Sequence, residues 1–399
     1  YKHSSNYAPI NLADLKELEN ELFPVFRHNS QNAITKKPNA VVVLMESFGS
    51  NLLMLDDRAN FDLLMSFRAH FEAGKTKHKE QNDFTFMNFL SNYNSTVSSF
   101  VSLFFLSPSA KIAFDSVKNE QIALTPFEIY KKAGYETIYI TSGNRAWESV
   151  GDYVIMLGAD AVYDSNFLMS YYPQSKNTTN VYGVLDEFAY KFALELLQKT
   201  EKPLFIVLLT TTNHPPFDAP LQQFDINDEK ISAWLKNHPQ IAQDERKKKV
   251  FAHIIYQDKM LARFVRQMSE TLPNSLFIIT GDHYDREYPQ APLRVQNGVP
   301  LIIYSPILKP KVLANVGSHI DITPTITELV APNAYKYASF GTPLLSNDYK
   351  KAFEKRNALG YKLVANERFL YDGFKIEYFK DKKPQDDDES LAKNLFENL

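Results

Sequence analysis

Ala40-Val41-Val42-Val43-Leu44-Met45-Glu46-Ser47 is the stretch whose reading decides the fold. Six apolar residues, three of them β-branched, run together and stop at a carboxylate. A short run of this kind reads as a strand buried on both faces, as in a parallel sheet under helices. A carboxylate at the end of such a strand lies where open α/β sheets place their ligands. The plainer reading is a strand-end Glu that merely meets solvent. The rest of the chain decides between the two.

Working outward, similar apolar runs predict strands over 136–141, 204–209, 275–280 and 299–304, with a short strand at 84–86. Between them, apolar residues at helical spacing predict helices over 12–27 (capped by Asn11), 56–74, 95–106, 125–133, 182–199 and 250–271. Another covers 322–330, with Asp321 as cap and Pro324 in the first turn. Strands separated by helices argue an α/β fold, a mostly parallel sheet sandwiched by helices. The charged, proline-interrupted stretch 218–248 reads as a surface excursion. Phe369-Leu-Tyr-Asp372-Gly373-Phe-Lys-Ile-Glu-Tyr378 reads as a hairpin with an Asp-Gly turn, so a small C-terminal antiparallel subdomain is expected. The expected division is a helical lead-in over 1–36, a main domain over 37–345, and the subdomain with a charged tail over 346–399. Lys380–Glu389 is charged enough to stay disordered, and 390–399 reads as a short helix.

Composition narrows the function classes. The 399 residues are 44% hydrophobic and 13% aromatic, enough for a sizeable core. A formal net charge of −3 gives no electrostatic argument for nucleic acid. Thirteen glycines are few for this length, and neither a G-x-G-x-x-G nor a G-x-x-x-x-G-K-[ST] motif occurs. The absence of cysteine excludes disulfides and thiolate metal sites. No apolar run reaches the ~18 residues of a membrane span. The chain opens on Tyr rather than Met, which is expected of a piece whose signal or membrane region lies elsewhere.

Four predicted strands end in polar clusters. Strand 40–45 meets Glu46. Strand 136–141 meets Ser142-Gly-Asn144-Arg145-Ala-Trp147, where an Arg suits phosphate or sulfate oxyanions. Strand 204–209 meets Thr210-Thr-Thr-Asn213-His214-Pro-Pro. Strand 275–280 meets Gly281-Asp282-His283, an adjacent oxygen and nitrogen donor after a residue that lets backbones approach closely. A fifth cluster, Asn94-Ser95-Thr96, opens an apolar helix and puts a hydroxyl in its positive N-terminal potential. Each has an ordinary explanation alone. In a parallel sheet, however, all four strand ends fall on one edge, which points to one site.

These residues resemble a known family. Lys37-Pro-Asn-Ala-Val-Val-Val-Leu-Met-Glu46-Ser-Phe, Thr96-Val-Ser-Ser-Phe-Val-Ser-Leu-Phe-Phe-Leu-Ser-Pro108, Tyr182-Gly-Val-Leu-Asp-Glu187, Leu209-Thr-Thr-Thr-Asn-His214-Pro-Pro-Phe217, Gly281-Asp-His283 and Gly317-Ser-His-Ile-Asp-Ile-Thr-Pro-Thr325 occur in the order found in lipoteichoic acid synthase-like phosphoglycerol transferases, members of the alkaline phosphatase/sulfatase superfamily. The resemblance implies a single divalent metal, Mn²⁺ with Zn²⁺ or Mg²⁺ as alternatives. Its ligands are Glu46, Thr96, Asp282 and His283, with Thr96 as nucleophile. Ser95 is the rival hydroxyl, and the apolar spacing that follows favours Thr96. The resemblance also places His214, Asn213 and Trp147 against substrate, with His214 catalytic. The family's substrate Arg follows the Trp, where this chain has Ser149, so Arg145 carries the phosphate-contact expectation from the other side of Trp147. His319 and Asp321 fall in a segment that looks structural in the family.

The implied activity is transfer of a phosphoglycerol headgroup from phosphatidylglycerol to a cell-envelope glycan or glycolipid, through a phosphothreonine-type intermediate. The implied location is the periplasmic or extracytoplasmic face of a bacterial inner membrane, with the membrane reached through a region outside this sequence. The alternatives are a phosphoethanolamine transferase, phosphodiesterase or sulfatase on the same fold, or an envelope-binding module without activity. Phosphoethanolamine transferases are typically disulfide-rich, and sulfatases that oxidise their nucleophile use a C/S-x-P-x-R setting; this chain has neither feature.

Overall fold

The computed structural model describes residues 25–27, 36–55, 63–64, 67, 83–105, 125–239, 241, 244–284, 286, 292–306, 308, 311–332, 335–338, 341, 343–345, 358–360, 362–379 and 382–397. An eight-stranded sheet runs in the order β5 (Ala161–Tyr163), β4 (Glu136–Thr141), β6 (Leu204–Leu209), β2 (Asn39–Met45), β7 (Ser275–Gly281), β8 (Leu301–Tyr304), β3 (Asp83–Leu90), β9 (Lys311–Ser318). The first five are mutually parallel, β8 is antiparallel to both its neighbours, and β3 pairs parallel with β9. Seven strands therefore share one direction, and their C-terminal ends share one edge.

β2 sits at the centre. Leu44 faces Leu209 of β6 on one side and Thr280 of β7 on the other. Its side chains alternate between two cores, which is why the apolar run is unbroken. Ala40, Val42 and Leu44 join Phe205, Val207 and Leu209 under the helices Thr96–Phe105, Pro126–Lys132, Val150–Met156 and Ile322–Val330. Val41, Val43 and Met45 join Ile206, Leu208 and Ile279 under the helices Asp186–Lys199, Asp228–Lys236 and Glu245–Thr271. Each buried Val, Leu, Ile, Met or Phe side chain here contributes roughly 1.5–3 kcal/mol on burial. The result is a helix–sheet–helix sandwich.

A second, four-stranded antiparallel sheet is formed by β11 (Ala358–Gly360), β12 (Leu363–Ala365), β13 (Phe369–Tyr371) and β14 (Ile376–Tyr378). The expected hairpin is its last pair. Asp372 Oδ1 accepts from the backbone N–H of Phe374 and Lys375 at 2.9 Å each, and Gly373 takes the left-handed conformation with φ 92°. No helix among the described residues is long and apolar enough to cross a membrane.

Several expectations need correction. Val25–Arg27, placed in the first helix, is a strand (β1) paired antiparallel with β10 (Lys336–Ala338). Residues 12–24 and most of 56–74 lie outside the described residues. The stretch 218–248 contains a packed helix, Asp228–Lys236, whose Ile231, Trp234 and Leu235 are buried; its apolar spacing was hidden among charges. The chain from Asp388 to Glu397 is helical, so the helix starts inside the stretch expected to be disordered. Asp321 does not cap the helix Ile322–Val330 with its side chain. Its Oδ2 instead accepts from the Ser318 N–H at 2.8 Å, closing the preceding tight turn His319–Asp321.

Candidate active site and metal centre

The C-terminal ends of β4, β6, β2 and β7 lie side by side, and the loop after β3 brings the helix Thr96–Phe105 to the same edge. Glu46, Thr96, Asp282 and His283 meet there, and all four are buried. Thr96 Oγ1 donates to Glu46 Oε2 at 3.0 Å, while Ser47 Oγ donates to Glu46 Oε1 at 2.9 Å. The rival hydroxyl has another task, since Ser95 Oγ accepts from the Ser98 N–H at 3.4 Å in the first helical turn.

Asp282 is held on one side only. Its Oδ1 accepts the N–H groups of Ser47 and His283, each at 2.7 Å, while Oδ2 has no hydrogen-bond partner although it is buried. His283 Nδ1 donates to the Tyr284 carbonyl at 2.8 Å, so Nε2 carries the ring's lone pair. That nitrogen lies 3.4 Å from Asp282 Oδ2 and 3.8 Å from Glu46 Oε1. One ligand atom from each of Glu46, Asp282 and His283 falls within 4.8 Å of the others. Burial, with the Asp282 charge beside it, pushes the Glu46 carboxyl well above the usual carboxylate range. Two buried carboxylates, an orphaned oxygen and a convergent imidazole lone pair fit one divalent cation, which would supply the missing charge and partner.

The backbone beneath is locked. Glu46 N–H donates to Thr210 Oγ1 at 2.9 Å, and its carbonyl accepts from Gln257 Nε2 at 3.0 Å and from Asn213 Nδ2 at 3.2 Å. Asn213, expected against substrate, is thus turned to the β2 backbone and fully buried. Asp282 N–H donates to the Met45 carbonyl at 3.0 Å. Gly281 lets the Phe48 backbone pack against the end of β7, because a Cβ there would lie 1.8 Å from the Phe48 carbonyl oxygen.

Sequence reasoning missed a second organiser. Asp186 is fully buried at the start of the helix Asp186–Lys199. Its Oδ1 accepts from Ser142 Oγ at 2.6 Å and from Thr211 N–H at 2.9 Å, which ties the loops after β4 and β6 together. Its presence in the Tyr182–Glu187 motif was the available signal. Gln257 gave none, because its partners lie more than forty residues away in sequence.

A narrow cleft is lined by Glu46 and Thr96 together with Arg145, Trp147, Tyr182 and His214. His214 Nδ1 donates to the Pro215 carbonyl at 2.8 Å, leaving Nε2 unprotonated, and its ring packs 3.9 Å from that of Tyr182. Burial lowers its pKa and keeps it neutral. Arg145 lines the cleft but pairs with Asp152 at 2.7 Å, so any phosphate contact competes with that ion pair. Arg286, also missed, donates to the Asn94 carbonyl at 2.6 Å beside the Thr96 helix.

His319 braces the site from below. Its Nε2 donates to the Gly281 carbonyl at 2.9 Å, and its Nδ1 accepts from the Asn92 N–H at 3.4 Å. Burial lowers its pKa to about 4. Below about pH 6.5 the unfolded chain binds a proton that the fold refuses, so this residue's contribution to stability falls as pH drops from 6.5 to 4. The full loss is about 3 kcal/mol. Denaturant titrations across this window should show a shallower acid loss for His319→Gln than for the parent chain; equal slopes would refute the assignment.

Comparison with known proteins bears on the family and the fold. The sulfatase family model matches residues 38–331. Lipoteichoic acid synthase 1 of Bacillus subtilis is 26% identical over 250 residues, covering 56% of this chain and 37% of that protein. The chain spans about a third of the length of such curated relatives. Among solved structures, the lipoteichoic acid synthase LtaP from Listeria monocytogenes superposes with a TM-score of 0.71 at 17% identity, covering 96% of each chain. An alkaline phosphatase superfamily protein from Vibrio parahaemolyticus gives 0.68 at 21% identity, covering 94% of this chain and 89% of that one. With the family model covering most of the chain, and with the strand-edge cluster in place, the chain belongs to the sulfatase family and has lipoteichoic acid synthases among its relatives.

Proposed function

We propose that this domain moves a phosphoglycerol headgroup from phosphatidylglycerol, through Thr96, to a hydroxyl of a cell-envelope glycan or glycolipid. The observation that carries it is the Thr96 hydroxyl held 3.0 Å from Glu46, within the same buried cluster as Asp282 and His283. The lipoteichoic acid synthases among its relatives favour phosphoglycerol as the group and an envelope polymer as its destination. Metal dependence fits the ligand set, and Mn²⁺ is the preferred ion, with Zn²⁺ or Mg²⁺ as alternatives. Glu46, Asp282, His283 and Thr96 would hold it, and bound there it supplies a Lewis acid that lowers the hydroxyl's pKa and draws charge off the phosphoryl oxygens.

The rest follows from the chain's own groups. The Thr96 oxygen bonds to phosphorus, the bond from phosphorus to the diacylglycerol oxygen breaks, and diacylglycerol leaves with a proton. An acceptor hydroxyl then displaces Thr96. His214, neutral with Nε2 unprotonated, takes the Thr96 proton during attack and gives it to the departing diacylglycerol oxygen, then takes the acceptor's proton and gives it to the departing Thr96 oxygen. Trp147 and Tyr182 wall the headgroup, and Arg145 contacts its phosphate after releasing Asp152. The reaction belongs at the extracytoplasmic face of a bacterial inner membrane, where such lipids and glycans meet.

The test is incubation of the Mn²⁺-loaded domain with vesicles of phosphatidylglycerol or phosphatidylethanolamine, followed by intact mass and peptide mapping. A phosphoglycerol adduct on Thr96 from the first lipid alone is the expected result. A phosphoethanolamine adduct would replace the donor, and no adduct with either lipid would remove the covalent reading.

A further inference from the structure

Arg286 reaches two elements of the site at once. One terminal guanidinium nitrogen donates to the Asn94 carbonyl at 2.6 Å, in the loop that presents Thr96, and also lies 3.0 Å from His283 Nε2. Its Nε lies 3.4 Å from Asn94 Oδ1. Because His283 Nδ1 already gives its proton to the Tyr284 carbonyl, Nε2 accepts from Arg286. That lone pair is the one His283 would give to a metal, at about 2.0–2.1 Å for zinc. An N–H and a metal ion cannot share it. Two cations this close also repel, unless an anion stands between them. A phosphoryl oxygen satisfies both, since a guanidinium forks onto phosphate oxygens while the metal takes another.

We propose that Arg286 competes with the metal for His283 Nε2 and, once that nitrogen is taken, donates to a non-bridging oxygen of the phosphoryl group at Thr96. One side chain then opposes metal binding and favours phosphate binding, which makes the two bind cooperatively. The inference rests on reading the site as one for phosphoryl transfer. It assigns Arg286 a substrate contact independent of Arg145, which pairs with Asp152.

Titration calorimetry separates the roles. Mn²⁺ is titrated into the parent domain, Arg286→Ala and Arg286→Lys; inorganic phosphate and sn-glycerol 1-phosphate are then titrated into each Mn²⁺-loaded protein. Arg286→Ala should bind Mn²⁺ several-fold more tightly and either phosphate about tenfold more weakly, the loss expected for one charge-assisted hydrogen bond. Arg286→Lys should keep part of the phosphate affinity. A purely structural tie through Asn94 would weaken metal and phosphate together, and that result, or no change in either, would overturn the proposal. A parent domain that binds phosphate while Arg286→Ala binds it equally well overturns this inference alone. A Mn²⁺-loaded parent domain that binds neither phosphate overturns the phosphoryl-transfer reading along with it.

Discussion

Thr96→Ala should lower diacylglycerol release from phosphatidylglycerol by at least about 10³-fold, as removal of a covalent nucleophile does. The loss should appear in kcat, because the lipid is bound mostly by groups other than the hydroxyl. Stability should change little, since one hydrogen bond to Glu46 is worth about 1 kcal/mol net. Thr96→Ser keeps an oxygen on the same backbone position and should retain measurable turnover. Ser95→Ala removes only the acceptor for the Ser98 N–H and should stay within about tenfold of the parent. Release rates, read beside the metal content of each protein, decide the matter. A Thr96→Ala protein that keeps a full metal load and a tenth of the activity would move the nucleophile elsewhere.

Glu46→Gln should have the second large effect, with opposite signs in the two states of the protein. In the metal-free domain, Glu46 and Asp282 are two buried carboxylates on one site, and the Glu46 carboxyl is held above its ordinary range by burial and by that neighbour. A raised carboxyl contributes stability below its unfolded pKa and loses it as pH rises through the folded value. Metal-free parent protein should therefore weaken as pH rises above about 4.5, the ordinary Glu value. Glu46→Gln should remove that loss and unfold at a higher temperature than the parent at pH 7. With Mn²⁺ the order should reverse. A ligand at a thousand times its Kd stabilises the fold by about 4 kcal/mol, and the variant should forfeit most of this together with its activity. Melting curves with and without Mn²⁺, at pH 5 and pH 8, give all four values. If Glu46→Gln destabilises the metal-free protein, the pairing of carboxylates across this site is wrong.

The parts of the fold that sequence revealed share one physical cause. β2, β4, β6 and β7 are buried on both faces, so they read as unbroken apolar runs with ends accurate to about a residue. β9 at the sheet margin, Lys311-Val-Leu-Ala-Asn-Val-Gly-Ser318, mixes charge and polar side chains with its apolar ones and left no such run. The reversed direction of β8 was also invisible, because an apolar tetrapeptide carries no mark of which way it pairs.

The chain by itself determined that a carboxylate, an Asp-His pair, an Asn-His pair and a helix-opening Thr stand at the ends of buried strands or helices, and that places reactive groups on one edge of a parallel sheet. What only the tertiary structure decided is how they divide the work. Glu46 and Thr96, fifty residues apart, share a hydrogen bond. Asn213 faces backbone while His214 beside it faces the cleft. Asp186 and Gln257 enter the site through partners 25 to 211 positions distant, and Arg286 ties Asn94, 192 positions away, to His283. Strand periodicity is a local property and is written in neighbouring residues. Hydrogen-bond partnership across strand ends depends on register and sheet order, which neighbouring residues do not encode.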